Sequence, residues 1–462
     1  MYQVPKDTTI TAELIKKVID FNEKRRARFD LLDDYYFGRQ IILSREKPDT
    51  RINNKVMVNH AKYIVDLSTS YLLGSPVDYQ VDKDVNIEPV LDAYKAQTME
   101  NTDFELAKGC SIFGLDYEYV YANEDAEPRS VALDVRNTII VYDDSMVHNK
   151  LFGVTYRPVF KDDKDQRPDL FEIVVATDKE IINYTMNPEG NTLTETGREP
   201  HFFGNVPIVE YRNNGELLGD FEPVISLIDA YNLIQSDRVN DREQLVDAIL
   251  CFYGMDFDDE QMTELKLKRA LSGIPSDGKV EFLTKTINEG DVDVLRGNIE
   301  QDIHKISMVP NMSDQNFVGN ASGVALRYKL FAFEQSTMNK ERFFEKSLME
   351  RFELYSHYLS VKSKMAEVKK EEVDAVFKRN LPSNDFETSQ MITNLRGVVD
   401  DELLVAQLSF VDDASDTVAI AKEQAGEAMG DDEYAANNFG NDMQDANTLN
   451  VEPEAEAEPV EG

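Results

Sequence analysis

The apolar positions of this chain recur at helical spacing up to about residue 113, alternate from about 115 to 212, and return to helical spacing after Gly219. In KVMVNHAKYIVDLSTSYLLGSPVDY, Ile64, Leu67 and Tyr71 share one helical face, Gly74 is placed to stop the helix, and Pro76 prevents its continuation. A further helical stretch, DFELAKGCSIFG, leads into Leu115-Asp116-Tyr117-Glu118-Tyr119-Val120-Tyr121, whose alternation predicts a strand. More strands are expected at TIIVYDD, LFGVTYRPVF, LFEIVVAT and PIVEYRNN, which Gly, Pro and Asn turns separate. Together these segments predict an α+β unit of about 210 residues.

Beyond Gly219 the pattern is mainly helical. From Pro223 to Leu250 no Gly or Pro intervenes, and Val224, Leu227, Ile228, Tyr231 and Ile234 form an apolar stripe. Asp237, Arg238, Asp241 and Arg242 put a charged belt in the middle turns. Residues 248–255 and Lys279–Thr286 read as two strands around a short helix that opens with Asp258, Asp259 and Glu260 and closes with Lys266, Lys268 and Arg269, the charge order a helix dipole favours. From Asp291 to Met308, Val292, Leu295, Ile299, Ile303 and Ile306 give a single apolar face, and Pro310 ends that helix. The polar loop NMSDQNFVGNASG follows, from Asn311 to Gly323.

No Gly or Pro then occurs until Pro382, so at least Val324–Leu359 is expected as one helix of about 55 Å. Its apolar positions include Leu330, Phe331, Phe343, Phe344, Leu348, Phe352, Tyr355 and Leu359, more than a small domain needs, which suggests a strut in a large assembly. Helical segments continue toward residue 425. From Asp431 onward there are ten acidic residues and no basic one, and the ending VEPEAEAEPVEG predicts a disordered tail.

Charge changes the picture. The chain has 49 Lys and Arg against 87 Asp and Glu, a net charge of −38. Tight binding to DNA phosphates draws on Lys and Arg that displace counterions, so this balance argues against it. It leaves room for loose handling, because a negative wall repels a duplex and keeps it from sticking; solubility is the plainer reason for such acidity. Lys24, Arg25, Arg26 and Arg28, followed by Arg39, Arg45 and Arg51, are a local exception, read as a solvated basic helix face in preference to a partner contact.

No run of about 18 apolar residues supports a membrane span, and MYQVPKDTTITAELIKK lacks the apolar core of a signal peptide. Cys110 and Cys251 give neither a disulfide framework nor a metal cluster, which suits synthesis in a reducing cytoplasm.

Candidate chemistry is sparse. Gly273–Lys279 has the spacing of a phosphate-binding loop, but Val280 stands where Ser or Thr must hold magnesium, and the segment follows a predicted helix instead of a strand. His60, His148, His201, His304 and His357 are scattered, without HExxH. Asp143-Asp144 and Asp412-Asp413 could hold magnesium, but with 87 acids such pairs are expected by chance. There is no GxSxG, and the Asn-x-Ser/Thr triplets at Asn183, Asn311 and Asn320 carry no meaning without secretion. No catalysis, metal or cofactor is expected.

Several stretches taken in order resemble the portal (head-to-tail connector) proteins of long-tailed bacterial viruses, the branch found in viruses of Gram-positive hosts. They are NHAKYIVDLSTSYLLGSPV at 59–77, FELAKGCSIFGLDYEYVY at 104–121, HFFGNVPIVEYRNNGELLGDFEPVISLIDAYNLIQSDRVND at 201–241, ASGVALRYKL at 321–330, and FKRNLPSNDFETSQMITNLRGVVDDELLVAQLSFVDD at 377–413. The likeness covers roughly residues 10–420.

It implies an α+β, mainly helical subunit with an α/β wing at 1–219, stem helices at 220–250 and 290–310, and a small clip at 251–289. It further implies a tunnel loop at 311–323, a long wing helix opening 324–375, and a helical crown at 376–425; the acidic tail at 426–462 is not part of the family pattern. About twelve subunits would form a ring at one capsid vertex, assembled in the host cytoplasm. Double-stranded DNA would pass through without sequence readout, and terminase, a head–tail adaptor, scaffolding and major capsid proteins would dock on the ring. In the loop, Asn311, Asp314, Asn316, Phe317, Val318 and Asn320 would face DNA, Phe317 and Val318 being the bulky ones. The alternatives are a helical assembly scaffold without a DNA channel, and a nucleotide hydrolase resting on Gly273–Lys279 alone.

Overall fold

The alternating stretch folds into two sheets. In the computed structural model, β5 (Thr138–Asp143), β6 (Lys150–Val159), β7 (Leu170–Ala176), β8 (Glu180–Met186) and β9 (Leu193–Pro200) form an antiparallel meander, with β1 (Tyr2–Val4) added parallel to β5. Of these, β1, β8 and β9 were not anticipated; the outer strand β9 is mostly exposed and carries little of the apolar alternation that marks a strand. Residues 1–48, 52–81, 85–160, 168–188, 192–246, 249–254, 278–283, 289–313, 323–379, 385–408, 411, 414–415 and 417–422 are described.

Helix α1 (Ala12–Tyr36) lies on this sheet. Ile15, Val18 and Ile19 pack against Ile139, Val141, Phe152, Val154, Ile173, Val175 and Ile182. The second sheet, β10 (Ile208–Arg212)–β3 (Leu115–Ala122)–β4 (Pro128–Leu133), is antiparallel. Strand β3 alternates as the sequence predicts, but both its faces are covered: Leu115 and Tyr117 join α1 and the large sheet, while Val120 joins the helices. Asp116 and Glu118 are buried with them, and burial pushes the Asp116 carboxyl well above the usual carboxylate range.

Helices α2 (His60–Leu73), α3 (Glu88–Lys95) and α4 (Met99–Phe113) pack around the small sheet. Helix α2 stops after Leu73, yet Gly74 keeps a right-handed φ of −68°, so its glycine freedom is unused and Pro76 is left as the terminator. Gly114 is the glycine the fold requires. It ends α4 at φ +86°, and a Cβ there would meet the Leu217 carbonyl oxygen at 2.1 Å.

Helix α5 spans Ile225–Val246 after a 3₁₀ turn at Glu222–Val224, and β11 (Ile249–Tyr253) pairs antiparallel with β12 (Lys279–Leu283). Helix α6 spans Glu289–Ser307 and α7 spans Gly323–Val361. Strand β13 (Val373–Val376) pairs with β2 (Asp78–Val81). The helix expected over 258–269, the Gly273–Asp277 part of the rejected phosphate loop and the acidic tail lie outside the described residues; Lys279 itself begins a strand and pairs with Tyr253. Residues 381–462 form a second unit, described over helices α8 (Asp385–Leu395) and α9 (Asp401–Val405).

One expectation about exposure needs correction. The basic cluster of α1 is not simply solvated. Arg28 reaches across to Glu222 (Nε–Oε1 2.7 Å) and donates to the Leu217 carbonyl at 2.8 Å, which ties α1 to the entrance of α5. The long helix α7 is a core element in its second half, where Phe344, Leu348, Phe352, Tyr355 and Leu359 are buried, whereas Phe331 points to solvent.

At the centre of the helical core sits Arg351, fully buried on α7. Its guanidinium makes a two-pronged ion pair with Asp103 of α4, approaches Glu118 of β3 at 3.5 Å, donates to the Tyr79 hydroxyl at 3.0 Å and lies 4.9 Å from the centre of the Tyr94 ring. Glu118 also accepts from the Tyr211 hydroxyl at 2.7 Å. Truncation would strand two buried carboxylates, and breaking a buried pair from one side costs about 3–5 kcal/mol. Arg351→Ala should therefore lower the thermal unfolding temperature by several degrees, whereas Arg198→Ala, an exposed pair partner on β9, should leave it within about one degree.

Candidate functional site

The candidate site is the α5–α6 pair and the root of the loop that follows α6. Polar residues recur along α5 at a spacing of four. Asn232, Ser236 and Asn240 are all buried, and they face an extended segment that leads into α2. The Asn232 Oδ1 accepts from the Val58 N–H at 2.8 Å, the Ser236 Oγ from Val56 at 2.9 Å, and the Asn240 Oδ1 from Asn54 at 2.6 Å.

The match is geometric. Four helix residues rise about 6 Å and two extended residues about 6.6 Å, so alternate amides meet successive side chains of one helical stripe. Next to this ladder, Asp237 binds Arg45 at 2.9 Å and Lys47 at 3.1 Å. Burial pushes its carboxyl up, but these two cations outweigh that and hold it below the usual range. The charged belt is thus partly structural: Asp237 faces inward cations, and Arg238 sits 3.5 Å from Asp293 of α6. Sequence periodicity of apolar residues could not show the ladder; the signal available was Asn, Ser and Asn at i, i+4 and i+8.

The apolar face expected on α6 is mostly open. Ile303 is buried, Val292 and Ile299 are half-buried, and Leu295 and Ile306 are exposed, as are Val294 on α6 and Leu233 and Val239 on α5. Among the described residues, α6 packs on α5, the 3₁₀ turn at 222–224 and a few residues near its own end, so the stripe is wider than the surface that covers it.

The root of the following loop is held firmly. The Tyr63 hydroxyl donates to the Pro310 carbonyl at 2.9 Å and accepts from the Met312 N–H at 2.9 Å. His304 Nδ1 lies 2.9 Å from the Val309 carbonyl oxygen. Asn311, expected to face DNA, also has local partners: its Nδ2 donates to Glu300 at 3.1 Å and its Oδ1 accepts from Ser313 at 2.6 Å. Asp314, Asn316, Phe317, Val318 and Asn320 lie outside the described residues, so the structure brings only Asn311 of that group to the site.

Other candidate chemistry resolves into structure. Asp143, half of an acidic pair, accepts from Ser145 Oγ at 2.6 Å and from the Asn149 backbone and side chain at 2.8 and 2.9 Å. These hydrogen bonds hold its carboxyl at about 2 and close the β5–β6 turn. Asp412 and Asp413 lie outside the described residues. Among the described residues no three His, Cys, Asp or Glu side chains converge as a metal set, and no helix is long and apolar enough to cross a membrane.

Comparison with known proteins places this architecture. The family model for the phage portal protein, SPP1 Gp6-like, matches residues 15–431. The chain belongs to this portal family. It is similar to the portal protein of Bacillus phage SPP1, 25% identical over 429 residues that cover 88% of this chain and 81% of that protein. It is also similar to the portal protein of Clostridium phage phiCD119, 24% identical over 439 residues, covering 89% of this chain and 96% of that one. The family is the phage portal, the conduit for DNA packaging and ejection, a structural component of the virion. It implies a multi-subunit ring with partners in the phage head.

The ladder yields a direct test within this portal subunit. Ser236→Ala removes only the hydroxyl and leaves the Val56 N–H without an acceptor, a loss of about 1–3 kcal/mol. Amide exchange at Val56 should accelerate at least tenfold, with the amides of β6 and β7 unchanged.

Proposed function

We propose that the chain is one subunit of a closed ring of about twelve copies in which α5 and α6 form the stem and the 311–323 loop faces the duplex. On this reading residues 1–219 are the wing, 251–289 the clip that meets the terminase and later the head–tail adaptor, and 376–425 the crown. Scaffolding and major capsid proteins hold the ring at one vertex. The observation that carries the reading is the uncovered apolar surface of the stem pair. Val294 is 64% exposed and Leu295 52%, with Leu233 and Val239 on the adjacent helix.

Exposed apolar residues clustered on two neighbouring helices mark an interaction surface. A head-to-tail ring repeats one such contact around its circumference until it closes. The acidic chain suits a conduit in a second way: a wall that offers few cations gives phosphates little to grip, so DNA slides. An assembly scaffold without a channel would explain the apolar surface too, but not the family membership.

Two outcomes follow. Leu295→Asp should put a charge on every copy of the contact and convert rings to monomers or small species, as read by light scattering; intact rings would remove α6 from the interface. Asn316→Lys together with Asn320→Lys should leave rings and capsid incorporation normal while adding roughly two dozen positive charges around the loop, so that counterion release holds the duplex. Packaging per capsid should drop at least tenfold at low salt and recover as salt rises. Equal packaging at both salts would place this loop away from DNA.

A further inference from the structure

Two histidines far apart in sequence meet at the root of the loop. His60 is the first residue of α2 and His304 lies in the last turn of α6, and their rings sit 5.9 Å apart at 74°. His60 also stands edge-on to Tyr231 of α5 at 4.7 Å, and His304 stands edge-on to Tyr63 of α2 at 5.6 Å. His60 is 8% exposed, and its Nε2 is buried with no hydrogen-bond partner. His304 uses Nδ1 on the Val309 carbonyl, which makes that nitrogen the proton carrier and leaves Nε2 as a lone pair in the neutral ring.

The charged groups nearby are already committed. Glu300 is bound by Arg296 at 3.1 Å and by Asn311 at 3.1 Å, and Arg296 also donates to the Tyr231 hydroxyl at 3.3 Å. A proton arriving on His60 would find an imidazole and a perpendicular tyrosine ring in place of an unengaged carboxylate.

We propose that His60 and His304 form a proton-operated latch that fastens the first turn of α2 to the last turn of α6 and fixes the 309–313 loop root while the His60 ring is neutral. Burial, with a smaller contribution from the neighbouring His304, lowers His60 to about 4, and Glu300 compensates only in part. Once the segment opens, His60 returns toward its ordinary value near 6.5. Between those two values the open form binds the extra proton, so the closed latch is fully stable above about pH 6.5 and loses stability as pH falls toward 4. At pH 5.0 that difference amounts to roughly thirty-fold in the closed-to-open ratio. The latch rests on the portal reading only for what it would do to DNA, since its opening is a property of the subunit.

Hydrogen exchange on the full-length assembled protein separates the two. After correction for intrinsic exchange, peptides covering 56–64 and 304–313 should exchange at least tenfold faster at pH 5.0 than at 7.5, with β6 and β7 unchanged. His60→Phe keeps a ring against Tyr231 without a titratable nitrogen, and should abolish the difference; His304→Gln keeps a donor for Val309 and should reduce it, and it carries the comparison if the first variant does not fold. No acceleration in the wild type, or the same acceleration in the variants, overturns the latch. Failure to form rings at either pH would sink the ring proposed above while leaving the exchange result to decide the latch.

Discussion

The helical core depends on one buried cation. Arg351 carries a full charge at a position with no solvent contact, and that is tolerable only because α4, β3, β2 and α3 each bring it a carboxylate, a hydroxyl or an aromatic face. A charge so placed specifies where α7 must lie, because sliding the helix by one turn would separate it from every partner at once. The apolar residues around it, Phe344, Leu348, Phe352 and Tyr355, supply burial energy but little register, since a greasy stripe can slip. Position is set by the polar group and stability by its surroundings.

A second polar device sets α5. Asn232, Ser236 and Asn240 give the backbone of residues 54–58 the acceptors that a neighbouring strand would otherwise provide, so this segment lies on α5 without belonging to a sheet. The same helix therefore presents a polar, satisfied face inward and leaves Leu233 and Val239 outward. The inward face thus ties α5 to the segment leading into α2, and the outward residues keep apolar surface exposed. The loop root is built in the same manner, with Tyr63 and His304 using the backbone of 309–312 as the ligand.

The functional residues resolve unevenly. Asn311 was singled out as facing DNA, and the structure makes it a local clasp between Glu300 and Ser313. Scattered histidines that looked inert in the sequence turn out to include a facing pair, because α2 and α6 converge. Arg28 and Arg45, which resembled a solvated basic face, are bound to Glu222 and Asp237. In each case the residue type was visible and its partner was not.

What the sequence determined by itself is the order and kind of the elements. The period of apolar residues follows from backbone geometry within a few residues, so the strands at 115–122 and 138–159, the helices at 225–246 and 289–307, and the long helix after Gly323 were all legible. The ordered run of motifs also carried the family likeness. Only the tertiary structure decided that both faces of β3 are buried, that an arginine lies at the centre of the core, that amides of 54–58 dock on α5, and that α6 keeps much of its apolar stripe uncovered. The physical reason is common to all four: burial and pairing depend on surfaces brought together from distant parts of the chain, and an apolar stripe specifies a partner without saying whether that partner lies in the same chain.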